Sequence, residues 1–160
     1  MNDLKVHNVI FVGSSDQNIA VEQFVPTGNF EFVDPDLSDP WSGRIVNTQP
    51  QPGEQSIYKI ELDGASHTVR ADYALISFQP GLIPGRHIAL LAGIDTTGCA
   101  GAALFLNSAA GMKVISNTLS HARNGSRSPD DFAFQALLRV DVAEGNQVRD
   151  TRLVLLHPFN

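Results

Sequence analysis

Residues 86–106 read RHIALLAGIDTTGCAGAALFL, and this stretch decides the fold. After Arg-His its first part is apolar up to Gly93, which is typical of a strand that is buried on both faces. A polar turn follows at residues 95–97, and the Ala-rich run over residues 100–106 predicts a helix pressed against a sheet. The stretch therefore predicts one strand–turn–helix unit.

A second unit of the same kind begins at residues 7–13, HNVIFVG. This run is short, β-branched and apolar, so it predicts a central strand that is covered on both faces. Ser14 and Gln17 then have the spacing of a helix capping box, and apolar positions recur until Pro26 ends the pattern. The two units together predict parallel strands in one sheet.

The rest of the chain predicts antiparallel strands. Residues 56–70 alternate around an Asp-Gly turn, and residues 132–157 alternate around a Gly-Asn turn, so both predict β-hairpins. Further strands are predicted at residues 29–33 and 72–78. We therefore expect an α/β domain of three layers with a mixed, partly parallel sheet and a Rossmann-like core, flanked by antiparallel hairpins.

Two segments carry weaker patterns. Residues 41–54 have no sustained period and contain two prolines, so we expect a long surface loop, and loops of this length are often functional. After the strand–turn–helix unit, Ser108 can cap a second helix in which apolar residues recur at helical spacing. Residues 122–131 are polar and contain Gly and Pro, which predicts a loop.

Size and composition limit the class of protein. A chain of 160 residues predicts one domain over residues 1–160. The net charge of −6 and the pI of about 5.2 disfavour direct binding to nucleic acid, and no apolar stretch has the ~18 residues of a membrane helix. The single Cys99 and an N-terminus without a secretory pattern predict a cytoplasmic protein.

Two polar turns are the candidate ligand site. In open α/β sheets, ligands bind outside the carboxyl ends of the parallel strands. The turns there are residues 13–18, GSSDQN, and residues 93–98, GIDTTG, whose N–H groups and hydroxyls suit a small polar or anionic ligand. The same side chains can simply cap helices. The candidate ligand-binding residues are Gly13, Ser14, Ser15, Asn18, Gly93, Asp95, Thr96, Thr97 and Gly98.

Known catalytic motifs are incomplete. Residues 93–98 have the glycine spacing of a phosphate loop, but Cys99 and Ala100 stand where that motif needs Lys and then Ser or Thr. Cys99 near a helix N-terminus could act as a thiolate nucleophile, although a small, tightly packed residue is the stronger interpretation. The histidines lack metal-ligand spacing, so we predict no metal site, and the sequence identifies no cofactor.

Several segments together resemble a known family. They are residues 8–14, NVIFVGS; 51–54, QPGE; 73–76, YALI; 89–106; and 134–140, FQALLRV. This set is similar to an uncharacterised bacterial α/β domain family, whose members often follow a winged-helix or other DNA-binding segment. The resemblance implies a sensory or regulatory module, and it assigns no ligand or catalytic residues. We expect no helix-turn-helix ahead of the first strand here.

Three functional hypotheses follow. The leading one is a non-catalytic domain that binds a small molecule or regulates a partner. The first alternative is an enzyme that acts on a nucleotide or acyl substrate through Cys99 or Asp95. The second alternative is an interaction module, in which the C-terminal hairpin or an uncovered sheet edge pairs with another chain, by strand addition or as a two-fold dimer.

Overall fold

The computed structural model describes residues 6–13, 28–81, 83–122 and 133–158. Its strands and helices are, in chain order, β1 (Val9–Val12), β2 (Phe30–Val33), β3 (Arg44–Asn47), β4 (Ile57–Lys59), β5 (Glu61–Leu62), β6 (Val69–Pro80), β7 (His87–Gly93), α1 (Thr96–Leu106), α2 (Ala109–Ala122), β8 (Phe134–Ala143) and β9 (Gln147–Pro158).

Six strands form the main sheet, in the order β1-β7-β6-β8-β9, with β5 paired to β6. β1 and β7 are parallel, while the other pairings in this sheet are antiparallel. The prediction of a mixed α/β fold with a partly parallel sheet is therefore confirmed. A Rossmann-like core is not confirmed, because β1–β7 is the one parallel pair among the strands that the structure describes.

The prediction of a central first strand was wrong. β1 lies at the edge of the main sheet, and its side chains alternate in burial. Phe11 is 9% exposed, whereas Ile10 is 62% and Val12 is 56% exposed. An apolar run therefore does not by itself identify a central strand, because a β-branched residue on the open side of an edge strand gives the same pattern.

The helices α1 and α2 cover one face of the main sheet. Ala102 and Phe105 of α1 and Ile115 and Leu119 of α2 join a core cluster with inward residues of β6, β7 and β8. A Cβ on Gly101 would lie 2.5 Å from Val140 Cγ2, so the absence of a side chain allows α1 to approach β8 closely. The predicted Ala-rich helix is confirmed as α1.

The predicted cap of the second helix is also confirmed. Ser108 Oγ accepts a hydrogen bond of 2.9 Å from the Gly111 N–H, and α2 begins at Ala109. Among the described residues no single helix has the length and apolar content to cross a bilayer. A bent pair, Thr96–Leu106 with Ala109–Ser120, meets the requirement only together and turns by 81° at its break.

The opposite face of the main sheet is covered by a small sheet of three strands, in the order β2-β3-β4. Its buried residues Phe30, Ile45 and Tyr58 pack against Tyr73, Leu75 and Leu137 of the main sheet. β3 lies within the stretch for which the sequence predicted only a loop. Its four residues are too few to show a period, although Ile45 is fully buried.

The two predicted hairpins have different outcomes. The first is divided, because β4 belongs to the small sheet while β5 pairs with β6 in the main sheet. The C-terminal hairpin is confirmed as β8 and β9, joined by a turn in which Gly145 and Asn146 have φ values of 74° and 57°. The helix predicted after β1 and the loop predicted at residues 122–131 lie largely outside the described residues.

Candidate functional site

The carboxyl ends of β1 and β7 meet at one edge of the main sheet, as the two strand–turn units predicted. Val12 pairs with Leu91, and the Gly13 N–H donates a hydrogen bond of 3.0 Å to the Leu91 carbonyl. Gly13 has φ 110°, a conformation that favours glycine. The candidate residues Ser14, Ser15 and Asn18 lie outside the described residues.

The β7–α1 turn contains the other candidate residues. Asp95 is the N-cap of α1, and its Oδ1 accepts hydrogen bonds from the Thr96 N–H at 2.7 Å and the Thr96 hydroxyl at 3.1 Å. Thr97 is buried at 6% exposure. The alternative that these side chains cap a helix is therefore realised by Asp95, while binding of an external ligand at this turn stays a prediction.

A buried carboxylate, Asp72, lies directly beneath this turn and is missing from the sequence-based site. Its Oδ2 accepts hydrogen bonds from the Gly98 N–H at 2.6 Å and the Asp95 N–H at 3.2 Å, and its Oδ1 accepts one from the Tyr73 N–H at 2.7 Å. A Cβ on Gly98 would lie 2.5 Å from Asp72 Oδ2. Like the Gly13 and Thr96 N–H groups, the Asp95 and Gly98 amide groups assigned to a ligand thus already have an acceptor within the chain.

The environment of Asp72 changes its acidity. The side chain is fully buried, and this burial raises the pKa of Asp72 to about 7, although the N–H groups of Tyr73, Asp95 and Gly98 favour its charged form. A signal was present in the sequence, since Asp72 is a single acid within the otherwise apolar run ADYALI at residues 71–76. A buried acid in a strand needs donors nearby, and a helix N-terminus supplies them.

Cys99 does not have the environment of a thiolate nucleophile. Burial raises the pKa of the Cys99 thiol, and its Sγ accepts a hydrogen bond of 3.1 Å from the Gly93 N–H. An activated cysteine needs the opposite shift. Among the described residues, no group of three or more His, Cys, Asp or Glu side chains could hold a metal ion.

A small cavity of about 240 Å³ lies beside the β7–α1 turn. Asp95 and Ile94 line it from the turn. Phe32 of the small sheet and Trp41 of the loop before β3 line it from the other side. This volume is below the ~300 Å³ at which ligand pockets usually begin. The cavity therefore suits a fragment of a ligand better than a complete one.

A larger cavity of about 560 Å³ lies between α2 and the main sheet, and we call it the α2 cavity. It is on the helix face, at the end of the sheet away from the β7–α1 turn. Its lining in the described residues is mostly apolar and consists of Val9, Ile10, Phe78, Ala89, Leu106, Met112, Ile115, Leu119 and Phe134, with Asn8, His87, Ser116 and Ser120 as polar members.

Aromatic rings form one wall of the α2 cavity. The Phe78 ring stacks on His87 with 4.9 Å between centroids and on Phe134 with 5.8 Å between centroids. The backbone N–H of His87 donates a hydrogen bond of 2.9 Å to Asn8 Oδ1, which connects β7 to the residue before β1. A volume of this size with an apolar lining and a few polar groups is typical of small-molecule sites.

No local sequence pattern indicates the α2 cavity. Its lining comes from the start of the chain, β6, β7, β8 and both helices, so it depends on tertiary packing. A scan against protein-family models matched none of them, and searches of curated proteins and of solved structures found no match. The geometry of the chain is therefore the basis for the functional proposal.

Proposed function

We propose that this chain is a non-catalytic binding domain that holds a largely apolar small molecule in the α2 cavity. The observation that carries the proposal is a partly open cavity of about 560 Å³ with a mostly apolar lining. Burial of apolar surface stabilises a complex by roughly 25 cal/mol per Å². The polar members of the lining, above all Ser116, Asn8 and His87, would select a ligand that carries a hydrogen-bonding group at one end.

The enzyme alternative receives less support from the site. The raised pKa of Cys99 opposes a thiolate mechanism, and the Asp95 carboxylate is engaged as the helix cap of α1. A Rossmann-like core and a polar ligand at the β7–α1 turn remain predictions. What supports them is the parallel pair β1–β7 followed directly by α1.

A regulatory role is the second part of this proposal. β1 contributes Val9 and Ile10 to the α2 cavity and lies at the sheet edge. A ligand that contacts both α2 and β1 would bind one arrangement of these elements better than another, which is the requirement for a sensory domain. Hydrogen exchange with and without ligand should then show protection spreading through β1 and α2.

The binding test uses anilinonaphthalene sulfonate as an apolar fluorescent probe. Ser116 is exposed at the surface of α2 and lines the α2 cavity, so Ser116→Trp should obstruct it without disturbing the core. We expect saturable binding to the native chain and a dissociation constant raised about tenfold or more, a loss of at least ~1.4 kcal/mol, in Ser116→Trp.

Lys113→Trp is the matched control, because Lys113 is an exposed residue of the same helix outside the cavity lining. It should leave the dissociation constant unchanged. Probe binding that is equal in the two variants, or that does not saturate, would contradict the proposal. A series of alkyl carboxylates that displace the probe would then measure the length of ligand that fits.

A further inference from the structure

The outer edge of β9 is the feature that the binding proposal does not use. β9 is the last strand of the main sheet and pairs with β8 on one side. It has 12 residues, and most of them are exposed or half-buried. A long edge strand presents unpaired backbone N–H and C=O groups, which can pair with another strand.

The charges on β8 and β9 are arranged unfavourably within the chain. Arg139 lies directly opposite Arg152, and Asp141 lies directly opposite Asp150. Like charges at directly opposite positions destabilise an antiparallel pair. Asp141 compensates through its contacts with both arginines, along β8 to Arg139 Nε at 2.9 Å and diagonally across the strands to Arg152 Nη1 at 3.3 Å.

Asp150 is left outside this arrangement. It is exposed, and among the described residues it has no ion pair. Arg152 also remains open to a further partner, since its side chain is 57% exposed. The outer edge of β9 thus offers one acid and one base, two positions apart and on the same face of the sheet.

We propose that two copies of this chain form a symmetric dimer by antiparallel pairing of their β9 strands about a two-fold axis at Thr151. In this register, Asp150 of each copy faces Arg152 of the other, and the two Thr151 residues face each other. Opposite charges at such positions stabilise antiparallel strands. The same order of charges that places like charges opposite each other across β8 and β9 therefore places opposite charges against each other across the two β9 strands.

A groove beside β9 supplies apolar surface for the same interface. It has a volume of about 590 Å³ and lies between the two helices and β9. Leu104 and Val114 on its helix side are 58% and 41% exposed, and Val148 and Leu153 line it from β9. A two-fold axis perpendicular to the sheet places the helices of both copies on the same side, so these residues can be covered across the axis.

Two irregularities of β9 define the extent of the pairing. The β8–β9 register shifts between Leu137 and Leu138 and between Asp141 and Val142. Bulges of this kind bend an edge strand away from regular pairing. We therefore confine the intermolecular pairing to the segment around residues 150–153, and the apolar groove must supply the rest of the buried area.

The test is a charge exchange, measured by light scattering and sedimentation from micromolar to submillimolar concentration. The native chain should be a dimer. Asp150→Arg places arginines opposite each other across the axis, and Arg152→Asp does the same with acids, so each should weaken dimerisation at least tenfold. The double variant Asp150→Arg/Arg152→Asp restores opposite charges and should dimerise again.

Glu31→Arg is the control for a change of charge, because Glu31 is an exposed residue on an edge strand of the small sheet. It should leave the dimer intact. Circular dichroism checks that each variant folds, and the double variant provides a folded comparison since it also places opposite charges across β8 and β9. A monomeric native chain, a dimer insensitive to both single variants, or a double variant that stays monomeric would each overturn the proposal.

Discussion

On one face of the main sheet, α1 and α2 pack mainly through apolar side chains, whereas on the opposite face the small sheet is also held by specific hydrogen bonds. Gln135 Oε1 accepts a hydrogen bond of 3.0 Å from the Phe30 N–H, and His157 Nε2 lies 2.8 Å from Glu54 Oε1. Apolar contacts are not directional, so the helix face can pack around a cavity. The small sheet is fixed in one position by its polar contacts.

The contacts of Glu54 show how the small sheet is fixed. Its Oε2 accepts hydrogen bonds of 2.9 Å from Asn47 Nδ2 and from the Gln51 N–H, while Oε1 meets His157 of β9. His157 in turn lies 2.7 Å from Asn29 Nδ2 and stacks on Phe30 at 5.1 Å. The Pro-rich segment predicted as a loop is therefore anchored to the main sheet through one carboxylate.

A second polar network lies within the main sheet, on the face that the small sheet covers. Arg139 on β8 donates from Nη2 to Glu61 Oε2 at 2.8 Å and from Nη1 to the Tyr73 hydroxyl at 3.0 Å. Arg139 and Tyr73 hold the pKa of Glu61 below its usual value, against the opposing effect of burial. This second network joins β5, β6 and β8 within the main sheet, whereas the contacts of Glu54 connect the segment before β4 to β9.

The strongest exception to this difference between the two faces is Asp72, because its carboxylate makes polar contacts with the N-terminus of α1 on the helix face. Asp72→Ala leaves the N–H groups of Tyr73, Asp95 and Gly98 without their acceptor. We expect a loss of about 4 kcal/mol in the free energy of unfolding at pH 5, measured in urea, because each orphaned buried donor costs ~1–3 kcal/mol.

Asp95→Ala is the comparison variant for Asp72→Ala. It removes a half-buried N-cap from the same helix and should cost about 1 kcal/mol. If the two variants lose equal stability, Asp72 does not anchor α1 to β6, and the helix face has no strong polar contact at this turn.

The pH dependence of stability should differ in sign between the two faces. The pKa of Asp72 is raised to about 7 by burial, so the folded chain holds a proton that the unfolded chain releases near pH 4. Stability should therefore fall as the pH rises from about 4 to 7, by about 4 kcal/mol, and then become flat with respect to this group.

Glu54 on the opposite face should act in the other direction. Burial would raise its pKa, but hydrogen bonds from the Gln51 N–H, His157 and Asn47 hold the pKa of Glu54 below its usual value. Its contribution is present above the unfolded pKa near 4.5 and is lost as the pH falls through the folded pKa. Unfolding curves of Asp72→Asn and Glu54→Gln across pH 3–8 should each lose one of the two slopes; retention of both slopes in both variants would contradict this assignment.

A smaller effect should sharpen the comparison. His157→Ala removes the partner of Glu54 and the ring that stacks on Phe30. We expect a loss of about 2 kcal/mol, within the usual range for a broken buried network. Hydrogen exchange should show faster exchange in β2–β4 while α1 and α2 keep their protection.

His7→Ala serves as the control for His157→Ala, because His7 is exposed. It should change neither stability nor exchange by more than ~0.5 kcal/mol. Equal loss of protection on both faces in His157→Ala would show that the small sheet and the helices do not differ in the way we describe.

The sequence was informative where a pattern was local. The strand–turn–helix unit at β7–α1 and the hairpin β8–β9 follow from periodicity and turn residues, and both are confirmed. The edge position of β1 could not be deduced, because burial of its Phe11 and exposure of its Ile10 depend on which strand lies beside it. β3 was too short to show a period.

The candidate site also combines a feature that follows from local sequence with contacts between residues that are far apart in the chain. The N-cap role of Asp95 was available from its position before a helix, but Asp72 is 26 residues from its partner Gly98. Glu54 and His157 are 103 residues apart, and no local pattern relates them. The α2 cavity depends on how α2 lies over the sheet, which the sequence does not specify by any motif.

The parallel pairing of β1 with β7 also has a consequence for the order of folding. Hairpins such as β6–β7 and β8–β9 join segments that are close in the sequence, whereas Val9 reaches Ile88 only after a long excursion of the chain. Closing so large a loop costs entropy before any contact is gained, so we expect β1 to join the sheet last. Because β1 forms one wall of the α2 cavity, its late arrival would complete the binding site, and its local detachment would open a route for a ligand to enter.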